Sequence, residues 1–276
     1  MSHSFRDRKI LAPLCKDDIH KHLLSLKIDH ISDLRVYPCV TSTNDYLLEN
    51  EFDSQQIVVC VAEEQTQGRG RYGHQWVSPS SVNLYLSMLW PLQDWNKKYE
   101  TLSLWLLIAI AELLEKHDCD DVKLKWPNDI CVGDKKLAGI LIERKVGGAK
   151  NNLIIGVGLN IAMSLNKDVS IDASWIDLVS IYPGWSMSRN ELAANIISVF
   201  YDVVTKLEEN QLSDLSESWS CYDMLLNKKI EFLYQKEKRI AYVQGINEQG
   251  QIILDAGGKR EYLHSAYMRE IKIIGN

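Results

Sequence analysis

The sequence predicts an α+β chain, built as a large mixed-sheet domain followed by a small all-β module. Helical periodicity and β-branched runs succeed one another through residues 16–225. Between Val122 and Asn160 the runs are strand-like and joined by tight turns. After Leu226 the texture changes to five short strands at regular spacing with Asn/Gly turns, the signature of a small barrel or sandwich.

Residues 1–35 read as an N-terminal helical segment. Its one clear helix covers 16–28, with Asp17 and Asp18 in the first turn, where carboxylates meet the positive end of the helix dipole. Val36–Val40 reads as a short strand, after which Ser42 or Thr43 caps a helix reaching Asn50. Gln56–Ala62 and Asn83–Leu89 are further strands. Thr101–His117 is apolar nearly all round, which predicts a buried helix. Val122–Lys125, Ile130–Val132, Leu137–Arg144 and Leu153–Asn160 are strands. Ser188-x-x-Glu191 is a capping box that opens a helix to Leu207, and a shorter helix covers 212–225. Lys229–Tyr234, Arg239–Ile246, Gln251–Leu254, Lys259–Leu263 and Met268–Ile273 complete the C-terminal module. The expected boundaries are therefore 36–225 and 226–276.

Composition narrows the function. The 276 residues are 46% hydrophobic and 25% charged with only 6 Pro, which excludes collagen-like and low-complexity chains. A net charge of −6 argues against a global attraction to nucleic acid or anionic lipid, because neutralising a phosphate backbone needs clustered Lys and Arg. The 6 cysteines form no Cys-x-x-Cys pair, so a zinc ribbon or thioredoxin motif is excluded. The polar N-terminus carries no signal-peptide pattern. The greasiest stretch, Leu102–Leu114, is shorter than the roughly 20 residues that span a bilayer. The expectation is a cytoplasmic protein without a membrane partner.

Gly68-Arg-Gly-Arg-Tyr-Gly73 matches the dinucleotide-binding pattern G-x-G-x-x-G, but a helix must follow to receive the pyrophosphate on its N-terminus. Here a strand pattern with Pro79 follows, so a nicotinamide-dependent oxidoreductase fails on context. The loop still offers close backbone approach and two permanent charges, Arg69 and Arg71, suited to a phosphate or an acyl-phosphate anhydride. By itself it reads equally well as a surface hairpin. Thr41-Ser-Thr-Asn44 offers hydroxyls and an amide for a compact polar head group, although an N-cap explains the same residues. In Lys125-Trp-Pro-Asn-Asp129, Asp129 is a candidate Mg²⁺ ligand, since that ion takes one or two carboxylates plus substrate phosphates. Lys136 stands at the mouth of the next strand. Solvated turns are the plain alternative for both charges. Gly156 and Gly158 share one strand face by period-two alternation, leaving a slot for a flat ligand or a tight packing contact, and Asn160 ends that strand.

Taken in order, Thr-Ser-Thr-Asn44, Glu64-Gln-Thr-Gln-Gly-Arg-Gly-Arg71, Trp76-Val-Ser-Pro79, Asn83-Leu-Tyr-Leu-Ser87, Lys125-Trp-Pro-Asn-Asp129, Lys136-Leu-Ala-Gly-Ile140 and Gly156-Val-Gly-Leu-Asn160 closely resemble the biotin protein ligases. The resemblance runs from residue 36 to 276. It implies a mixed-sheet catalytic domain of the biotin/lipoate ligase type with a C-terminal SH3-like β-barrel. It also implies a reaction in which biotin and ATP form biotinyl-5′-AMP, and biotin passes to a lysine of the biotin carboxyl carrier protein domain of acetyl-CoA carboxylase.

The resemblance further implies site residues. Ser42, Thr43, Asn44 and Gln65 would bind the biotin ureido ring, and Gly139, Gly156 and Gly158 would line its pocket. Arg69, Gly70 and Arg71 would form the loop that closes over biotin and the adenylate. Lys136 would contact the biotin carboxylate and the α-phosphate. Asn128, Asp129 and Asn160 resemble positions near ATP and Mg²⁺, and Trp76 and Trp175 resemble aromatics beside the ligand and the adenylate. Some bacterial members carry an N-terminal winged helix of roughly 60 residues. The short segment before Val36 instead suggests the monofunctional class, without DNA binding. Pairing of two chains through sheet edges into a homodimer is common in that family. The nearest rival is a lipoate-type ligase, which shares the adenylate logic; a ligand-binding regulator would need a DNA-binding segment.

Overall fold

The computed structural model describes residues 9–53, 55–92, 94–146, 151–166 and 174–275. Helix α1 (Lys16–Ser25) precedes strand β1 (Asp33–Tyr37), helix α2 (Thr43–Glu49), β2 (Val58–Ala62), β3 (Leu84–Pro91) and helix α3 (Leu102–Glu115). Strands β4 (Val122–Lys125), β5 (Asp129–Val132), β6 (Lys135–Lys145) and β7 (Asn152–Leu159) follow in succession. Helices α4 (Leu178–Ile181), α5 (Arg189–Glu208) and α6 (Leu215–Ser220) lead to β8 (Lys229–Tyr234), β9 (Glu237–Ile246), β10 (Ile252–Asp255), β11 (Arg260–Leu263) and β12 (Met268–Ile273).

The first sheet has the order β1-β2-β3-β7-β6-β5-β4. β1 and β2 are parallel and every other neighbour is antiparallel, so the sheet is mixed as expected. The last five strands form a separate antiparallel sheet, β11-β10-β9-β8-β12. Most elements start or stop within a few residues of the sequence reading. The first strand differs more: it covers Asp33–Tyr37 rather than Val36–Val40. Its register is set by the pairing of Asp33 with Val58 through Tyr37 with Ala62, while Val40 only bridges Gln65. The helix expected over 212–225 is confined to Leu215–Ser220, because Tyr222–Met224 instead join the edge of β4 through Leu124.

The two faces of the mixed sheet are covered differently. Leu84, Leu86 and Met88 of β3 and Leu153, Ile155 and Val157 of β7 point into the main core, with α1, α3 and α5. As expected from its composition, α3 is buried along most of its length. Each fully buried leucine there contributes roughly 1.5–3 kcal/mol. On the opposite face α2 packs over Val58, Cys60, Leu89 and Ile154 alone. The rest of that face, toward β6 and β5, carries glycines and polar groups under a cavity.

Helix α5 starts as the capping box predicts, Ser188 Oγ accepting from the Glu191 N–H at 3.2 Å. Its first residue, Arg189, is fully buried. The guanidinium donates to both Glu63 carboxylate oxygens and, at 3.0 Å, to the carbonyl of Ala12. Asn190 holds the same segment, its Oδ1 accepting from the Cys15 N–H and its Nδ2 donating to the Pro13 carbonyl. The chain ahead of α1 is thus tied to the core by charge-assisted hydrogen bonds, an arrangement no local sequence pattern announces.

Candidate functional site

A cavity of about 470 Å³ opens on the uncovered face, and every residue nominated from the sequence motifs lines it. The sheet register explains why distant motifs meet. Ser87, Gly156 and Leu141 form one cross-strand row, and Tyr85, Gly158, Gly139 and Asp129 form the next. Two residues along a strand is about 7 Å, so the rows define two neighbouring ends of one floor.

The first end is lined by closely hydrogen-bonded hydroxyls and amides, with the Glu143 carboxylate at its edge. Ser42 caps α2. The backbone N–H of Thr43 donates to Gln65 Oε1 at 2.9 Å, and Gln65 Nε2 donates to Ser78 Oγ at 2.9 Å. Ser87 Oγ lies 2.7 Å from Thr43 Oγ1 and 2.6 Å from Asn44 Oδ1. Asn44 Nδ2 donates to Glu143 Oε2 at 2.8 Å. Gly156 makes room for this amide: a Cβ there would stand 2.1 Å from Asn44 Oδ1.

The second end is charged. Lys136 Nζ lies 2.6 Å from Asp129 Oδ1, a charge contact without hydrogen-bond alignment, and that oxygen is otherwise buried and unpartnered. The ammonium also stands 5.1 Å from the centre of the Trp76 ring, a cation–π contact. Gly139 leaves space beneath the pair, since a Cβ would sit 3.0 Å from Lys136 Cε. The slot at Gly158 is filled by Trp76, so the alternate glycines accommodate protein side chains rather than leaving an open groove.

Other nominated residues are spent on the scaffold. Asn128 Nδ2 donates to the Ile140 carbonyl at 2.9 Å, and Asn160 Nδ2 donates to the carbonyl of Ile176 at 3.2 Å. Trp175 is placed by a bridge between its own strand-like segment and Lys136.

The two loop arginines differ in kind. Arg69 reaches both Asp45 and Glu143, and those hydrogen bonds, Asp45's first, raise its pKa. Its charge is therefore already matched within the protein. Arg71 instead donates to the Ser265 carbonyl at 2.9 Å and to Tyr72 Oη at 3.0 Å. Burial lowers its pKa, the behaviour of a cation set in a partly dry site without a matching carboxylate.

Sequence reasoning missed Glu143 and the roof. Glu143 was legible in principle, since it follows Gly139 and Leu141 on the same face by alternation. Met268, Arg269, Glu270 and Ile271 of β12 also line the cavity, and no local signal in a short terminal strand connects it to a glycine loop nearly 200 residues away.

Residues 36–160 match the sequence profile of the biotin/lipoate A/B protein ligase family. The bifunctional ligase/repressor BirA of Escherichia coli K12 is 36% identical over 225 residues, covering 81% of this chain and 69% of that protein. The chain belongs to the biotin/lipoate A/B protein ligase family. A second relative, the biotin–[acetyl-CoA-carboxylase] ligase of Mycobacterium tuberculosis, is 29% identical over 227 residues, 79% of this chain and 81% of its own. A solved biotin protein ligase from Aquifex aeolicus, in complex with biotin and ATP, matches with a TM-score of 0.72. That match spans 88% of this chain and 100% of the other at 24% identity, a likeness of fold. For this ligase-family chain the profile takes in the glycine loop, Lys136 and Asn160, while Trp175 and β12 fall outside it.

Proposed function

We propose that the chain is a biotin protein ligase, activating biotin with ATP to biotinyl-5′-AMP and passing biotin to a lysine of a biotin carboxyl carrier protein. One observation carries this reading: a single cavity joins a neutral cluster of hydroxyls and amides to the cations Lys136 and Arg71 across a glycine floor. A ureido ring is neutral and takes several uncharged hydrogen bonds, as Ser42, Thr43, Asn44 and Gln65 can supply. A carboxylate and an α-phosphate need cations where they meet, as Lys136 and Arg71 can supply.

The carboxylate oxygen attacks the α-phosphorus, pyrophosphate leaves, and a mixed anhydride forms. The acceptor lysine, as its neutral amine, then attacks the acyl carbon and AMP leaves. No enzyme nucleophile is required, and no cysteine lines the cavity among the described residues. Lys136 and Arg71 offset the repulsion between the two anions, Trp76 and Trp175 give flat apolar walls for the ligand and the adenylate, and Gly70 lets the loop backbone come close. The loop keeps water from the anhydride.

The donor set fits magnesium in a limited way. Asp129 lines the cavity with one carboxylate oxygen already against the Lys136 ammonium, and no group of three metal-ligating side chains occurs among the described residues. Such an ion would be held by Asp129 with the substrate phosphates, supplying further neutralisation of phosphate charge. Asn128 and Asn160 hold the nucleotide end of the floor through side-chain amides that donate to the Ile140 and Ile176 carbonyls.

Residues 36–225 would be the catalytic domain, 226–276 an SH3-like module, and the segment ahead of them, described from residue 9, would have no DNA-binding role. Two chains pairing through sheet edges would give a homodimer. No helix of the described residues is long and apolar enough to cross a membrane; the proposed reaction would run in the cytoplasm. The test is ATP–pyrophosphate exchange by the purified chain with Mg²⁺ and either biotin or lipoate. Biotin-dependent exchange supports the reading; exchange with lipoate alone moves it to the sister activity; silence with both removes it.

A further inference from the structure

We infer that Tyr72 is a positioning residue that pins the glycine loop to β12 and so keeps Arg71 inside the cavity. Tyr72 has a left-handed backbone, φ 58°. The phenol oxygen stands 2.5 Å from the Ser265 carbonyl and 3.2 Å from that of Met268, both in the C-terminal module. It also accepts from Arg71, which shares the Ser265 carbonyl. Arg269 of β12 completes the contact, its guanidinium carbon 4.1 Å from the centre of the Tyr72 ring. Arg71 has a reason to leave: it is half-buried, that burial disfavours its charged form, and a turn toward water would hydrate it. The Tyr72 and Arg269 contacts oppose that movement by tying the loop to the start of β12, which also lines the cavity.

The consequence for adenylate retention rests on the proposed ligase activity; the pinning itself does not. Two measurements separate them, using the full chain and the variants Tyr72→Phe, Tyr72→Ala and Arg269→Ala. The first is the rate at which trypsin cuts the Arg71–Tyr72 bond in the ligand-free protein, which needs no activity. A pinned loop resists, and we expect about threefold faster cutting for Tyr72→Phe and about tenfold for Tyr72→Ala and Arg269→Ala. The second is the ratio of biotin placed on a bystander protein (serum albumin) to biotin placed on a carrier domain, at saturating biotin and ATP. That ratio should rise in the same order, with Arg269→Lys recovering part of the loss because it restores a cation over the ring. A general loss of folding would lower both products together and leave the ratio alone. Wild-type cleavage rates in Tyr72→Ala overturn the inference, as does an unchanged ratio beside normal biotin-dependent exchange. Faster cutting in variants that keep the wild-type Tm, beside a wild-type chain that shows no biotin-dependent exchange, leaves the pin standing and overturns the ligase reading.

Discussion

The indole of Trp76 occupies the space that a side chain at Gly158 would need. A Cβ at Gly158 would stand 2.4 Å from Trp76 Cε2 and 2.5 Å from its Nε1, closer than real carbon contacts. Gly158→Ala must therefore displace the ring, and with it the surface that the Lys136 ammonium faces. Overpacking of this kind costs about 1–3 kcal/mol. The expected outcome is a modest fall in Tm and a loss of biotin-dependent exchange of about tenfold or more, equivalent to ~1.4 kcal/mol. Exchange at the wild-type rate would show that Trp76 does not shape the site.

The arginines of the glycine loop should separate in their effects. Arg71→Gly removes the cation that has no carboxylate partner, so it should release adenylate faster and biotinylate nearby lysines indiscriminately. Arg69→Ala instead leaves Asp45 and Glu143 facing one another without their shared cation. It should cost about 1 kcal/mol of stability, since the group is partly exposed. Adenylate release measured by quenched-flow and Tm measured in parallel would test both; equal release from wild type and Arg71→Gly would remove the retention role.

Much of this was legible beforehand, for a physical reason. A strand alternates faces every two residues, so Gly156-x-Gly158 and the run from Gly139 identify a shared floor without any knowledge of the fold. Local patterns failed where partners lie far apart in sequence. The start of β1 depends on its parallel register with β2, which Val36–Val40 alone does not encode. The pairing of Tyr72 with Ser265, and of Arg189 with Glu63, joins segments more than a hundred residues apart. The filling of the Gly158 slot by Trp76 was hidden for the same reason.

Asp223 gives the protein a pH-dependent stability. Burial pushes its carboxyl up to about 6, against roughly 3.9 in an unfolded chain. The folded state thus holds this proton more tightly, and stability is lost as pH rises from about 4 through 6. Asp223→Asn should leave Tm unchanged near pH 4 and raise it at pH 7–8, where the gain in unfolding free energy is ~1–3 kcal/mol. Parallel Tm curves for the two proteins across this range would contradict the assignment.

Arg189 should be among the costliest positions to change. Arg189→Met leaves the Glu63 carboxylate without its buried cation and frees the carbonyl of Ala12. Breaking one side of a buried pair costs about 3–5 kcal/mol. Urea unfolding should show a much lower midpoint, and adding Glu63→Gln should recover part of it. A midpoint near wild type for Arg189→Met alone would mean that the pair contributes little.

Strand β7 carries two texts in alternate letters. Leu153, Ile155, Val157 and Leu159 face the helices, and they determine how much folded protein a cell obtains. Gly156 and Gly158 face the cavity, and they determine what that protein can do once folded. Neighbouring codons therefore answer to different demands. A lineage could retune the substrate pocket through one set while the other keeps the chain in shape, so a single eight-residue strand can change its chemistry without renegotiating its fold.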